Sequence, residues 1–266
     1  MKKTILPALA MLIVAAVMLS TASYAWFAMN PTVEANGMQV NVKSESEFLL
    51  IKNIGSVDGT VEASVFTSAD TTATGSPFVA VDALYPAAHE AITVAQNFKD
   101  AANWFTGEGT SATNGTLVEK ELLSTKVDAH NNDGLRDYVM RYKYGVILSP
   151  GSAPADGLWV TELAITDTNN GDSATNLAPV KVVVTSDSHE SAYEEFAYSA
   201  TAQKGSVDLT GPGETSANKV TDGAVVYIYV YIYYDGENDA VTSANLANLA
   251  GATVTFKLTT TDPSAN

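Results

Sequence analysis

The chain contains no cysteine. Disulfides, thiolate nucleophiles and Cys-ligated zinc or iron–sulfur sites are thereby excluded. An exported chain of this kind must rely on its hydrophobic core alone. Histidine is nearly as scarce, with only His89, His130 and His189, which is thin material for acid–base or metal chemistry. Basic residues are also few: 14 Lys+Arg stand against 30 Asp+Glu, for a formal net charge of −16. Nucleic acid is a poor partner for such a chain, because phosphate neutralisation needs clustered Lys and Arg. An acidic surface favours solubility, disfavours anionic membranes and leaves carboxylates for divalent cations. No repeat of fixed period is visible, which argues against a solenoid or propeller. No Pro/Gly/Ser linker is long enough to compel two domains.

What the chain does have begins with an export signal. Met1-Lys2-Lys3 is a short positive region, and Ile5 to Leu19 is an apolar run. Small residues follow, and Ser23 and Ala25 satisfy the small-x-small rule for a peptidase cutting before Trp26. Ile5 to Met29 is also long enough to span a bilayer if Trp26 and Phe27 sit at the interface. The placement of the small residues favours cleavage. A retained anchor, which would be the chain's one route to a membrane, stays open. A prepilin-type signal does not fit, since neither its Gly nor its Glu is present.

Beyond the junction the pattern turns to period two, the mark of half-buried strands. Met38, Val40 and Val42 alternate with Gln39, Asn41 and Lys43. Glu47 to Ile51 reads as a short, more buried strand, and Val61 to Phe66 alternates again. Thr67 to Pro77 shifts to Ser, Thr, Ala and Gly and reads as a surface loop. Ala87 to Phe105 has modest helical spacing and predicts one helix or two short ones, with Trp104 and Phe105 packing back onto a sheet. Further strands are expected at Asp137 to Leu148, Gly157 to Ile165, Ala178 to Thr185, Tyr193 to Tyr198, Ala224 to Tyr234 and Thr253 to Thr260. The fifth of these is the strongest. It carries Val226, Ile228, Val230 and Ile232 on one face and Tyr227, Tyr229, Tyr231 and Tyr233 on the other. Many short strands with Gly/Asn/Asp/Ser turns and little helix predict a mainly β, antiparallel β-sandwich. The expected organisation is a signal peptide or anchor over 1–25 and one domain over 26–266, with a helix and loop insertion around 67–135.

No catalytic motif is complete in the sequence. His89-Glu90 and His189-Glu190 start a zinc-protease pattern, but both lack the second His one helical turn on. Solvated residues in loops or helix ends explain them better. No nucleophile elbow or phosphate-binding Gly loop is present, and Glu194-Glu195 cannot be placed around a substrate from sequence. An enzyme is not expected, and no cofactor other than calcium is suggested. For calcium, Asp167, Asn169 and Asp172 form one oxygen-rich loop, and Asp235, Glu237 and Asp239 another. Neither fits the EF-hand register, and ordinary turns use the same residues. The tyrosine stripe has two readings. It is either a second buried face under the helix or a long loop, or a contact surface between subunits, where tyrosine is enriched.

Residues 20–42, with Tyr24, Ala25, Trp26 and Phe27 and then Thr32 to Val42, resemble the start of the secreted TasA/camelysin group of Gram-positive bacteria. The C-terminal hairpin, with its strand, Asp-Gly-Glu loop, Asn/Leu-rich turn and last strand, is similar to that of clostridial relatives. The resemblance covers both ends and not Thr67 to Asn176. It implies a jelly-roll-like sandwich, export through a SipW-type signal peptidase, and extracellular matrix fibres in which the chain's partner is itself. It further implies that the segment from Trp26 to Val42 is a donor strand, with Val33, Met38, Val40 and Val42 filling pockets of a neighbour. Some relatives are labelled metalloproteases. This chain lacks a zinc motif, so that activity does not carry over.

Overall fold

The computed structural model describes residues 39–44, 49–56, 58–77, 84, 86–89, 98, 104–107, 119–121, 135, 138–167, 177–187, 192–211, 219–236, 238 and 252–264. The predicted signal region, the predicted cleavage residues Ser23, Ala25 and Trp26, and the predicted donor residues Val33 and Met38 lie outside these. Among the described residues, no helix is long and apolar enough to cross a membrane.

The fold is mainly β, with two sheets that share one core. The first sheet contains β1 (Gln39–Ser44), β3 (Thr72–Gly75), β8 (Trp159–Asp167) and β12 (Ala252–Thr259), in the order β3-β1-β12-β8. The second contains β2 (Leu49–Asn53), β7 (Val139–Leu148), β9 (Val180–Ser186), β10 (Tyr193–Ala197) and β11 (Val226–Tyr234), in the order β10-β9-β11-β7-β2. A small third sheet holds β4 (Ala87–His89), β5 (Trp104–Gly107) and β6 (Glu119–Glu121).

Alternation dictates which side chains meet between the two large sheets. Val40 and Val42 of β1, Val254, Phe256 and Leu258 of β12, and Val160, Leu163 and Ile165 of β8 point inward. They face Met140, Tyr142 and Tyr144 of β7, Val182 and Val184 of β9, and Val226, Ile228, Val230 and Ile232 of β11. At about 25 cal/mol per Å² of apolar surface removed from water, this cluster is the main favourable term in folding. It is the resource on which a cysteine-free chain depends.

The second sheet is buried on its other face as well. Every residue of β7 is buried, which a strand with one solvated face does not permit. Val139, Val183, Tyr229, Tyr231 and Tyr233 pack there with Ala87, Phe98, Trp104 and Leu135, brought in by the segment between β3 and β7. The sandwich thus carries a cover over part of its outer surface.

Several expectations need correction. The sheets are not wholly antiparallel, because β1 runs parallel to β12. A parallel pair cannot be joined by a hairpin, and the first and last strands of the described chain need none. Val61 to Phe66 does not form a strand: Ala63–Val65 is a 3-10 turn, and within the stretch only Phe66 is buried. The predicted surface loop of Thr67 to Pro77 contains β3, four residues whose extended state comes from pairing with β1. The helix predicted over Ala87 to Phe105 is strand at both its ends, β4 and β5, with Phe98 in a helical conformation between them. Cross-strand pairing there overrides a weak helical propensity. Trp104 packs back onto the sheet as expected, whereas the Phe105 side chain falls outside the described residues.

Candidate functional site

The structure offers two places where residues far apart in sequence are brought together. One is the slot occupied by β1, and the other is the junction between the cover and the sandwich.

β1 is an interior strand. On one side, residues 39–44 pair in parallel with residues 253–258 of β12. On the other side, Val40 to Lys43 pair antiparallel with Thr72 to Gly75 of β3. Val40 and Val42 are fully buried in the shared core. The hydroxyl of Tyr144, on the facing sheet, donates to the backbone oxygen of Val40 at 3.2 Å. Burial, followed by the neighbouring Tyr142, pushes this hydroxyl well above the ordinary phenol range, so it remains a donor. On the outer face, the Thr74 hydroxyl donates to Asn41 Oδ1 at 3.1 Å. β1 is therefore held in three ways: by two buried valines, by a hydroxyl donating to one carbonyl, and by two lines of main-chain partners. Of the predicted donor residues, Val40 and Val42 stand in the chain's own sheet rather than on a free arm.

At the second place, His89 Nε2 lies 2.7 Å from Glu195 Oε2, and the His89 side chain is 6% exposed. Lys181 Nζ donates to Glu195 Oε1 at 3.1 Å, and the Tyr233 hydroxyl donates to Oε2 at 3.1 Å. Lys181 also lies 3.9 Å from Asp235. Phe98, Trp104 and Tyr233 surround the imidazole, with ring centroids 5.1, 5.2 and 5.7 Å away. The hydrogen bond with His89 outweighs burial and, helped by Lys181, lowers the Glu195 carboxyl to about 2. This clasp fastens β4 of the cover to β10 of the sandwich. His89 is thus a buried structural residue and not the solvated one expected from sequence.

Glu194 points the other way. Its two oxygens accept from the Ser206 backbone N–H at 2.8 and 2.9 Å, and one of them accepts from Val207 N–H at 3.2 Å. The adjacent carboxylates are thus committed to opposite faces of β10.

The tyrosine stripe divides. Tyr229, Tyr231 and Tyr233 are at most 4% exposed and are covered by this chain's own Phe98, Trp104 and Leu135, leaving them no surface for a neighbouring subunit. Tyr227 is half-buried, and its hydroxyl accepts from the Val61 backbone N–H at 3.1 Å.

The candidate calcium ligands are scattered in role. Asp167 ends β8 and is buried. Asp235 is the ion-pair partner of Lys181, while Asn169, Asp172, Glu237 and Asp239 lie outside the described residues. Among the described residues, no group of three or more His, Asp or Glu is placed to hold a metal.

Compared with models of known protein families, with curated proteins and with solved structures, the chain matches none.

The alternation of Val40 and Val42 made β1 visible in sequence, but its partners were not. The clasp was missed altogether, because His89 and Glu195 are separated by most of the insertion.

Proposed function

We propose that this chain is an exported structural protein, the subunit of extracellular filaments that assemble by exchange of β1. The single observation that carries the reading is the position of β1. It is the first described strand, yet it fills an interior slot and completes the core with two side chains. Only residues 45–48 separate it from β2 on the opposite sheet. The same slot on a neighbour offers identical main-chain bonds and identical pockets, so exchange between copies conserves the contacts. A chain of such exchanges is head-to-tail and grows into a filament when the rotation does not close a ring. The jelly-roll-like topology, the export signal and the peptidase cut before Trp26 belong to this reading through the resemblance of the two chain ends to the TasA/camelysin group. The segment from Trp26 to Met38 would then precede the exchanged strand.

The absence of cysteine makes a direct test possible. Asn41 and Thr74 are register partners with touching side chains. In the double variant Asn41→Cys/Thr74→Cys, filaments formed under reducing conditions and then oxidised are expected to run as a covalent ladder on a non-reducing denaturing gel. Each single variant serves as a control. Filaments made only of internally bridged monomers, or an absence of filaments from the exported protein under the electron microscope, would sink the idea. Mass spectrometry of the mature N-terminus tests the cut before Trp26 separately.

A further inference from the structure

We infer that the arm formed by residues 67–75 is a gate over the β1 slot, latched by the ion pair between Lys52 and Asp70. The inference rests on the strand-exchange reading for its biological use, but its physical content is a property of the single chain.

The arm is defined by what holds it. Its base is Phe66, buried with Leu50 and Ile147 in a satellite cluster at the edge of the second sheet. Its tip is β3, which covers the side of β1 that β12 does not. Between them stands Asp70. Lys52 Nζ donates to Asp70 Oδ1 at 2.8 Å, and the Ile51 backbone N–H donates to the Asp70 backbone oxygen at 2.6 Å. Asp70 Oδ2 accepts from the Thr67 N–H at 2.7 Å and from its hydroxyl at 3.0 Å, which closes the turn. Both latch residues are partly exposed, at 29% and 20% for their side chains.

The far end of the arm is seated by Gly75. A Cβ at this position would collide with the Tyr144 hydroxyl and stand 2.6 Å from Asn53 Nδ2. The absent side chain lets β3 lie against the same hydroxyl that holds Val40. One tyrosine thus touches both the gate and the strand behind it.

β1 cannot leave sideways while β3 is paired to it, and β12 blocks the other side. β3 is the weaker barrier. It has four residues, of which Thr72 and Thr74 are exposed, whereas β12 is paired on both sides and buried in the core. Local opening draws on segments with few buried apolar contacts. The arm fits that description between its two anchors, so the latch sets how often the slot is open. The strand admitted is a second copy's β1, because the pockets of Val40 and Val42 and the Tyr144 donor are already shaped to it.

The test is amide hydrogen exchange on the full chain. In Asp70→Asn, the amides of Val40, Asn41 and Val42 are expected to exchange about three to ten times faster than in the parent, the range for losing a partly exposed charged contact. Amides of Ile228 to Ile232 in β11 should be unchanged. Gly75→Ala should act in the same direction by unseating the tip. The oxidised Asn41→Cys/Thr74→Cys monomer should slow the same amides. Unaltered β1 exchange in Asp70→Asn, or equal acceleration in β1 and β11, would overturn the gate. Filament assembly is followed in parallel. Faster β1 exchange without filaments from either protein leaves the gate standing and removes the proposed function. Filaments with unaltered exchange do the reverse.

Discussion

Single carboxylates organise much of this molecule. Asp208 accepts from Leu158 N–H at 3.0 Å, from Thr210 N–H at 2.9 Å and from its hydroxyl at 2.6 Å on one oxygen, and from Lys219 at 2.9 Å on the other. Burial raises its carboxyl, but these bonds together outweigh that and hold it below its ordinary value. Glu195 is the stronger case, at about 2 against an ordinary 4.5. Because the folded value is depressed, its contribution to stability is fully present above pH 4.5 and is lost as pH falls towards 2. With 30% of the side chain exposed, the full contribution is about 2 kcal/mol after allowance for solvent. Thermal unfolding across this range should show the parent losing that amount, while Glu195→Gln starts less stable and loses less. Parallel pH profiles for the two proteins would rule the clasp out as a stabilising element. None of this was legible in sequence: Glu194 and Glu195 read as an undifferentiated acidic pair until strand pleat sent them to opposite faces.

Legibility among elements follows the origin of their order. β7, β9, β11 and β12 form where alternation or a continuous apolar run predicts them, because each carries its own buried side chains. β3, β4 and β5 are three or four residues long and are made extended by their partners, so their own sequences hold little of the signal. The fate of the tyrosine face shows the same division. Sequence gives an amphipathic strand with an aromatic side, and only the tertiary structure supplies its cover. Trp104 is the centre of that cover, fully buried and with its ring centroid 5.1 Å from that of Tyr233. Trp104→Ala should cost about 3–5 kcal/mol, the usual range for deleting a buried large aromatic. The loss is expected to fall on the cover first. Limited proteolysis should cut between Ala87 and Leu135 before any site in β7 or β11, with a rise in apolar-dye binding as the tyrosines emerge. Simultaneous cleavage throughout would mean that cover and sandwich unfold as one unit.

At the scale of the whole molecule, the decisive contact joins the two ends of the described chain. Gln39 of β1 pairs with Thr253 of β12, and Ser44 with Leu258. Closing a loop of that length from an unfolded chain costs about 5 kcal/mol in entropy, which disfavours forming this contact early. If the sheet β10-β9-β11-β7-β2 and the β12–β8 pair form first, a slot stays open until β1 docks. On the strand-exchange proposal, the chain's own β1 and a neighbour's would compete for the same pockets during that interval. Dilution would favour the first, and a high concentration of chains the second. The order of events is measurable. Val42→Ala removes two methyl groups from the filled slot and should destabilise by about 1–3 kcal/mol. If β1 docks late, nearly all of that appears as faster unfolding, while the folding arm of the denaturant chevron stays in place. A matching Val230→Ala change in β11, fully buried in the same core, should instead slow folding. Should Val42→Ala slow folding as much as Val230→Ala does, β1 belongs to the nucleus, no vacant slot exists during folding, and exchange between subunits must begin by opening the finished sheet.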